Sequence, residues 1–339
     1  MVEIRSYRIH YAALIILLAA IFITELVFGS VSFSLSQIVQ ALFHPHEGDF
    51  AAKIVWSFRL PKAIAALLSG AALSVCGIQM QTLFRNPLAD PYVLGVSSGA
   101  GLGVALFVMG FSSGVFSASF PWLMNLGTTS AAWVGALFVS FLLMVAAKRF
   151  VNSMSLLILG IMIGSVGGAF ISMLQYISST SALKMYVLWT LGSFTGVTGV
   201  SLIIMAVVVV LGLIVSIYNI KDLNVLMMGE TYATSLGVKM GAIRRRIFIS
   251  TALLAGSVTA FCGPIGFIGI AVPHLSRMIF KNANHKVLIP SGALLGASMM
   301  LFADFLSQLT VPVLPINTVT ALLGVPVIIL IIIQNRQHA

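Results

Sequence analysis

Long apolar runs, separated by short segments that carry most of the charge, fix what this chain can become. The first is Tyr11 to Phe28, and comparable runs recur to the C-terminus. A run of about 18 or more apolar residues reads as a bilayer-spanning helix. Lipid offers no hydrogen bonds, so the backbone must satisfy itself within the helix. A soluble domain carries about 25% charged residues; this chain carries 8%, against 59% hydrophobic. Its mean hydropathy is +1.09. A membrane β-barrel would show alternating segments of about ten residues, and these are absent. The expected fold is therefore all-α and polytopic. The sequence holds no P-loop, so the chain is not expected to hydrolyse ATP by itself.

Ten spans are expected, at roughly 11–30, 61–81, 93–111, 130–147, 154–176, 198–217, 244–263, 266–280, 287–304 and 315–333. The first resembles a signal peptide but is long for one and lacks a small-x-small cleavage site, so a retained helix is expected. The segment 266–280 is short and holds Pro273. Short cytoplasmic loops collect Lys and Arg. With the N-terminus inside, fourteen of the eighteen basic residues lie on the cytoplasmic side and four, Lys53, Arg59, Lys62 and Lys184, outside. Dropping the 266–280 span would put the last basic segment outside, which argues for keeping it. Thr231 then lies inside and Ser117 outside. Topology accounts for the net charge of +10, and no nucleic-acid partner is expected.

Two stretches match at a separation of 186 residues: ALLSGAALSVCG, Ala66 to Gly77, and ALLAGSVTAFCG, Ala252 to Gly263. They share six of twelve residues, including both glycines and the only two cysteines. The span beginning near Arg59 runs inward and that beginning near Arg244 runs outward. Spans 2–5 and 7–10 are thus expected to form an inverted repeat, an arrangement that places a transport path between halves. Cys76 and Cys262 sit within spans, away from metal-type spacing, and read as small apolar packing groups.

Several places break the helical pattern. Arg85 to Gly101, RNPLADPYVLGVSSGAG, holds Pro87 and Pro91, which lack N–H groups. Asn86 and Asp90 can satisfy freed backbone there. The glycines that follow permit close helix packing, so a rigid turn feeding a packed helix is expected. Phe261 to Phe280 holds Gly263, Pro264, Gly266, Gly269 and Pro273, which one smooth helix cannot contain. His274 and Arg277 share a helix face there, and the histidine reads as a structural hydrogen-bonding group. His44, His46, Glu47 and Asp49 have a spacing that could suggest a metal site, but no supporting ligand stands elsewhere. No metal is expected.

The span 154–176 carries Gly160, Gly164, Gly167 and Gly168 and makes a thin helix. A half-inserted helix at about Ala182 to Thr190 is expected after it. A pore is sought at this pair, with Gly164, Gly168, Met173 and Leu174 as candidate path residues, although the glycines could equally serve packing alone. The longest inner loop, about 218–246, has apolar sets Leu223, Leu226, Met227 and Tyr232, Leu236, Val238, with Gly229 and Gly237 separating short helices. It reads as a docking surface for a cytoplasmic partner or as a membrane-surface helix pair.

At these residues the chain resembles the permease subunits of ABC importers for iron–siderophore, haem and cobalamin, the FecCD family. The resemblance rests on Arg59 to Gly101 with its NPLADP stretch, GETYATSLGV (Gly229 to Val238), GPIGFIGIAVPHLSRMIF (Gly263 to Phe280), LIPSGALLGASMMLFAD (Leu288 to Asp304) and TALLGVP (Thr320 to Pro326). It implies one permease domain over 1–339 with ten transmembrane helices, paired with a second copy in the bacterial inner membrane. Two cytoplasmic ATPases would bind ATP and Mg, and an extracytoplasmic binding protein would deliver the substrate. No cofactor is implied for this chain. By the same resemblance, Gly229, Glu230, Thr231, Ala233, Leu236 and Gly237 belong to the element that couples to the ATPase. Arg59 matches an arginine that docks the binding protein, and Gln308 stands where a second docking arginine is usual. The segment before the TA pair, Val313-Leu314-Pro315-Ile316-Asn317, also departs from the family pattern.

A secondary transporter is the alternative, and would carry ion-coupling carboxylates at midplane. Glu25 and Asp304 are the only acids near span ends, and neither looks central. An intramembrane enzyme would need a catalytic pair, and His274 has no acidic neighbour in sequence.

Overall fold

A computed structural model of the chain describes residues 7–29, 31, 33–43, 49–110, 121–147, 149 and 153–336. His44, His46, Glu47 and Ser117 lie outside the described residues; Asp49 caps the next helix by accepting from Ala51 N at 2.9 Å. The described elements are helical, in the order α1 (Arg8–Val27), α2 (Leu35–Phe43), α3 (Phe50–Leu83, with a π turn at Val55–Arg59), a 3-10 turn (Pro91–Leu94), α4 (Val96–Gly110), α5 (Pro121–Ala146), α6 (Ser153–Ile177), α7 (Thr180–Thr190), α8 (Gly199–Tyr218), α9 (Ile220–Leu226), α10 (Glu230–Ser235), α11 (Met240–Cys262), α12 (Ile268–Phe280), α13 (His285–Gln308) and α14 (Ile316–Arg336). Seven of them, α1, α3, α5, α6, α8, α11 and α13, are long and apolar enough to cross a membrane. Each of the other three expected spans falls on a shorter apolar stretch: α4, α12, or Ile316–Ile329 of α14. The thirteen residues of α12 rise only about 20 Å, short of a ~30 Å hydrocarbon core. The sequence leaves that helix little choice: Gly263 to Gly266 holds the chain out of helix before it.

The chain folds as two compact units, one of Met1–Ile78, Ser193–Val207 and Gly266–Ala339, the other of Gln79–Gly192 and Val208–Ile265. In the first, α13 packs on α1, α12 and α14. Lipid is as apolar as leucine, so helices in a membrane associate through close van der Waals contact and hydrogen bonds rather than through the hydrophobic effect. The sequence supplies glycine for the first. A Cβ on Gly70 of α3 would stand 2.1 Å from the carbonyl oxygen of Gly296 on α13, and one on Gly77 would stand 1.9 Å from that of Gly269 on α12. The seven-residue spacing puts both glycines on one side of α3, where backbones meet directly. The hydrogen bonds come from side chains near the ends. Tyr11 donates to the carbonyl of Val287 at 3.0 Å, over a small core of Leu14, Phe280 and Val287.

In the second unit α4 packs on α5, α6 and α11. The expectation of a glycine-packed helix after the NPLADP turn holds here. A Cβ on Gly99 would come within 2.5 Å of the Gly135 carbonyl, and one on Gly103 within 2.1 Å of that of Ala131. The turn itself is held as its residues suggest. Asn86 Oδ1 accepts from Leu88 N at 2.9 Å and Asp90 Oδ1 from Tyr92 N at 2.8 Å. A buried polar knot joins three helix segments: Gln79 Nε2 donates to Ser216 Oγ at 2.8 Å and to Ser250 Oγ at 3.0 Å. Cys76 and Cys262 are both buried, and neither forms a disulfide.

Candidate functional site

The segment between α8 and α11 is built on a short apolar keel. Leu223 and Leu226 of α9 and Ala233 of α10 are buried. Their spacing follows the helix period, so the opposite faces of the two helices turn outward. Tyr232 of α10 is exposed on the outer side, as are Met227 and Met228 just after α9 and Leu236, at 59%, just after α10. Four large apolar side chains together on a loop are the kind of patch that marks a protein interface. Thr231 and Gly237 are also exposed, Gly229 is buried and Glu230 is half-buried. Gly237 takes φ +80°, a conformation that penalises any residue with a Cβ.

Beside α10 opens a groove of about 1290 Å³, lined in part by Arg85, Ser153, Glu230, Thr231, Thr234, Ser235 and Arg244. Glu230 sits at its wall. One carboxylate oxygen accepts from Arg244 Nη2 at 2.9 Å, and the other accepts from Ser153 Oγ. Nearby, Arg246 pairs with Asp222 of α9 at 2.7 Å and lies over the Tyr218 ring. The sequence pattern marked the apolar faces and the glycines. It gave no sign of Ser153, which lies 77 positions from Glu230.

A second polar cluster lies in the other unit. Lys62 Nζ stands 3.5 Å from Glu25 Oε1 and 3.0 Å from Asp304 Oδ2. The two acids are almost wholly buried, with side-chain exposures of 2% and 4%. Gln308 Nε2 donates to Glu25 Oε1 at 2.5 Å. Next to this cluster, Arg59 is 9% exposed. Its guanidinium donates to the carbonyls of Leu26 at 2.6 Å and Val27 at 2.9 Å, and to that of Val31. It also lies 4.8 Å from the centre of the Phe33 ring. Arg59 therefore clamps the loop after α1, and Gln308 turns toward Glu25. Nothing in the sequence pattern links Lys62 or Gln308 to Glu25 and Asp304. The available signal was that ionisable residues inside spans need partners.

The four candidate path residues of α6 divide between two environments. Gly164 packs against α4, where a Cβ would lie 3.3 Å from Ser98 Oγ. Leu174 is half-buried. Gly168 has nothing within 4 Å of its Cβ position, and Met173 is 62% exposed. The helix expected at Ala182 to Thr190 is α7, capped by Ser179, whose hydroxyl accepts from Ala182 N at 3.4 Å. Its Tyr186 is buried, with its hydroxyl at Gly101 of α4.

The family model of the FecCD transport family matches residues 16–334. The chain belongs to that family. Among its relatives, the hemin transport system permease HmuU of Yersinia pestis is 34% identical over 335 residues, covering 98% of this chain and 97% of that protein. The vitamin B12 import system permease BtuC of Klebsiella pneumoniae is 36% identical, with 83% of each chain covered. The Bacillus subtilis ABC transporter permease YvrB is 36% identical and covers 99% of this chain and 97% of its own. A solved structure of a transporter assigned to the metal-chelate ABC type, in an inward-facing conformation, superposes with a TM-score of 0.82 at 30% identity, over 95% of this FecCD chain and 98% of the other.

Proposed function

We propose that this FecCD chain is the membrane permease subunit of an ATP-driven importer for a metal chelate: a ferric siderophore, haem or cobalamin. The family match over residues 16–334 carries the reading. In it the chain forms a single permease domain with ten spans in the inner membrane. Spans 2–5 and 7–10 form an inverted repeat, and two copies enclose a central path. Segment 218–246 is the cytoplasmic coupling loop for two ATPases that bind ATP and Mg. Its exposed Met227, Met228, Tyr232 and Leu236 support this, because an exposed apolar patch marks an interaction surface. Gly229, Glu230, Thr231, Ala233, Leu236 and Gly237 are assigned to coupling. Arg59 and Gln308 are assigned to the face that receives the binding protein, where Arg59 shapes the loop after α1. Gly164, Gly168, Met173 and Leu174 of α6 are assigned to the path, with Met173 the most exposed of the four.

The work of transport falls to packing rather than to chemistry. ATP closure of the ATPases moves the coupling segments, and the permeases open alternately to the two sides. A bulky chelate needs a smooth wall of small and apolar groups, which α6 offers. A secondary transporter would need a carboxylate left for an ion. Both Glu25 and Asp304 stand within 3.5 Å of Lys62, which weighs against that reading.

The test is reconstitution of the permease in proteoliposomes with its ATPase and binding protein. ATP-dependent uptake of one among labelled cobalamin, haem and ferric siderophores is expected. Uptake driven by an ion gradient without the ATPase would overturn the proposal.

A further inference from the structure

The Glu230 carboxylate does more than one job at the groove. It belongs to a six-residue helix, α10, yet it touches two long membrane helices. Arg244 comes from α11 and is 3% exposed at its side chain. Ser153 is the first residue of α6 and is 5% exposed. Arg244 and Ser153 are thus held in place by burial, while the Glu230 side chain remains 26% exposed at the groove. A short helix with one charged anchor would pivot about it. A carboxylate with one oxygen on each of two helices fixes both the distance and the direction of the link. Charge-assisted bonds of this kind are short, directional and about twice as strong as neutral ones. Arg85 flanks the same point, with Nη1 3.4 Å from where a Cβ on Gly229 would stand. Displacement of α10 therefore reaches the end of α6 through Ser153.

We propose that Glu230 is a positioning residue that transmits movement of the coupling helix to the path helix α6 through Ser153, with Arg244 as the fixed pivot. The inference rests on the coupling role assigned above. It adds a route, α10 to Glu230 to Ser153 to α6, which the apolar docking face by itself does not provide.

Valine and threonine have the same shape, and only threonine keeps the hydroxyl. Ser153→Thr and Ser153→Val would be compared in the reconstituted complex with its ATPase and binding protein, reading substrate imported per ATP hydrolysed. The native complex must import substrate with ATP; its failure to do so counts against the functional proposal and not against the strut. Given native import, Ser153→Val is expected to keep ATPase attachment and ATP hydrolysis while import per ATP falls about tenfold, the effect of losing one bond of about 1.4 kcal/mol. Ser153→Thr is expected to restore the ratio. Equal ratios in the two variants would overturn the route. Should Ser153→Val fail to assemble while Ser153→Thr succeeds, Glu230→Gln is read instead. It keeps the shape but weakens both bonds, and an unchanged import-to-hydrolysis ratio in it would equally sink the proposal.

Discussion

The two polar clusters of this protein use the same kinds of side chain to opposite ends. Around Lys62, two carboxylates and an amide converge from α1 and α13, and nearly everything is buried. Around Glu230, the cation and hydroxyl are buried while the acid opens onto a groove of about 1290 Å³. The first arrangement closes on itself and reads as a lock between helices. The second leaves one member exposed and reads as a handle. Burial is what separates them, because it sets the cost of leaving any member without its partner.

Lys62→Met is therefore expected to have the largest effect. It leaves Glu25 and Asp304 facing each other at low dielectric, and removing one member of a buried pair costs about 3–5 kcal/mol. A sharply lower melting temperature in detergent is the expected result. Adding Glu25→Gln and Asp304→Asn should recover most of it, since the charges are then gone together. A Lys62→Met protein that melts with the native one would show that the cluster is not a lock.

On the handle side the large effect should be on assembly rather than on folding. Leu236 is 59% exposed, so Leu236→Asp removes little from the fold. At the centre of an interface the same change would cost at least about 2 kcal/mol, or roughly thirtyfold in affinity. Loss of co-purifying ATPase, with an unchanged melting temperature, is expected. Gly237→Leu should act similarly but with some cost to folding, because Gly237 stands at φ +80°. Full ATPase retention in both variants would remove this face from the interface.

Much of this could be read from the chain. The apolar runs located most helix ends to within a few residues, because in lipid the helix is the only open solution for a single segment. But α3 begins at Phe50 and α5 at Pro121, well before the expected spans 61–81 and 130–147. The short helices α9 and α10 were legible from glycines flanking apolar sets. The clusters were not. Lys62 and Asp304 lie 242 positions apart in sequence, and no local pattern encodes which buried acid meets which cation. The matched pair of segments illustrates a subtler limit. Gly77 and Gly263 occupy the same position in the two matched segments. Both stand against backbone, Gly77 at the Gly269 carbonyl and Gly263 at that of Trp189, but only Gly263 also ends its helix, at φ +78°. Equal residues at equal places answer one shared need and one that differs, which a sequence match cannot distinguish.

Asp90 provides a buried acid outside the spans and a third case for the comparison. Burial pushes its carboxyl up to about 6, opposed by the bond from Tyr92 N. The native state thus holds the proton more tightly than the unfolded chain does. This contribution to stability is complete below about pH 4 and is lost as pH rises through about 6. Asp90→Asn keeps an oxygen for Tyr92 N and carries no charge. It should stabilise the protein above pH 7, by up to about 3 kcal/mol, and flatten the dependence between pH 4 and 7. Melting curves across that range check it; a native protein whose stability rises from pH 4 to 7 alongside an unchanged Asn variant would reverse the sign.

The smallest effect is expected at the Asp222–Arg246 pair, and it sharpens the contrast with Lys62. The two groups are 2.7 Å apart, closer than either acid stands to Lys62, but the side chains of Asp222 and Arg246 are 25% and 31% exposed. Water screens them and offers each an alternative partner, so an exposed pair of this kind is worth about 0–1 kcal/mol. Arg246 also covers the Tyr218 ring at 5.3 Å, which adds a cation–π contribution of about 0.5–1 kcal/mol at most. Asp222→Asn removes only the ion pair, and a shift close to the error of a melting curve is expected, disappearing altogether at high salt. Arg246→Met removes both contacts and should cost slightly more, with the excess insensitive to salt. A loss in Asp222→Asn as large as that in Lys62→Met would mean that distance, and not burial, decides what these charges contribute.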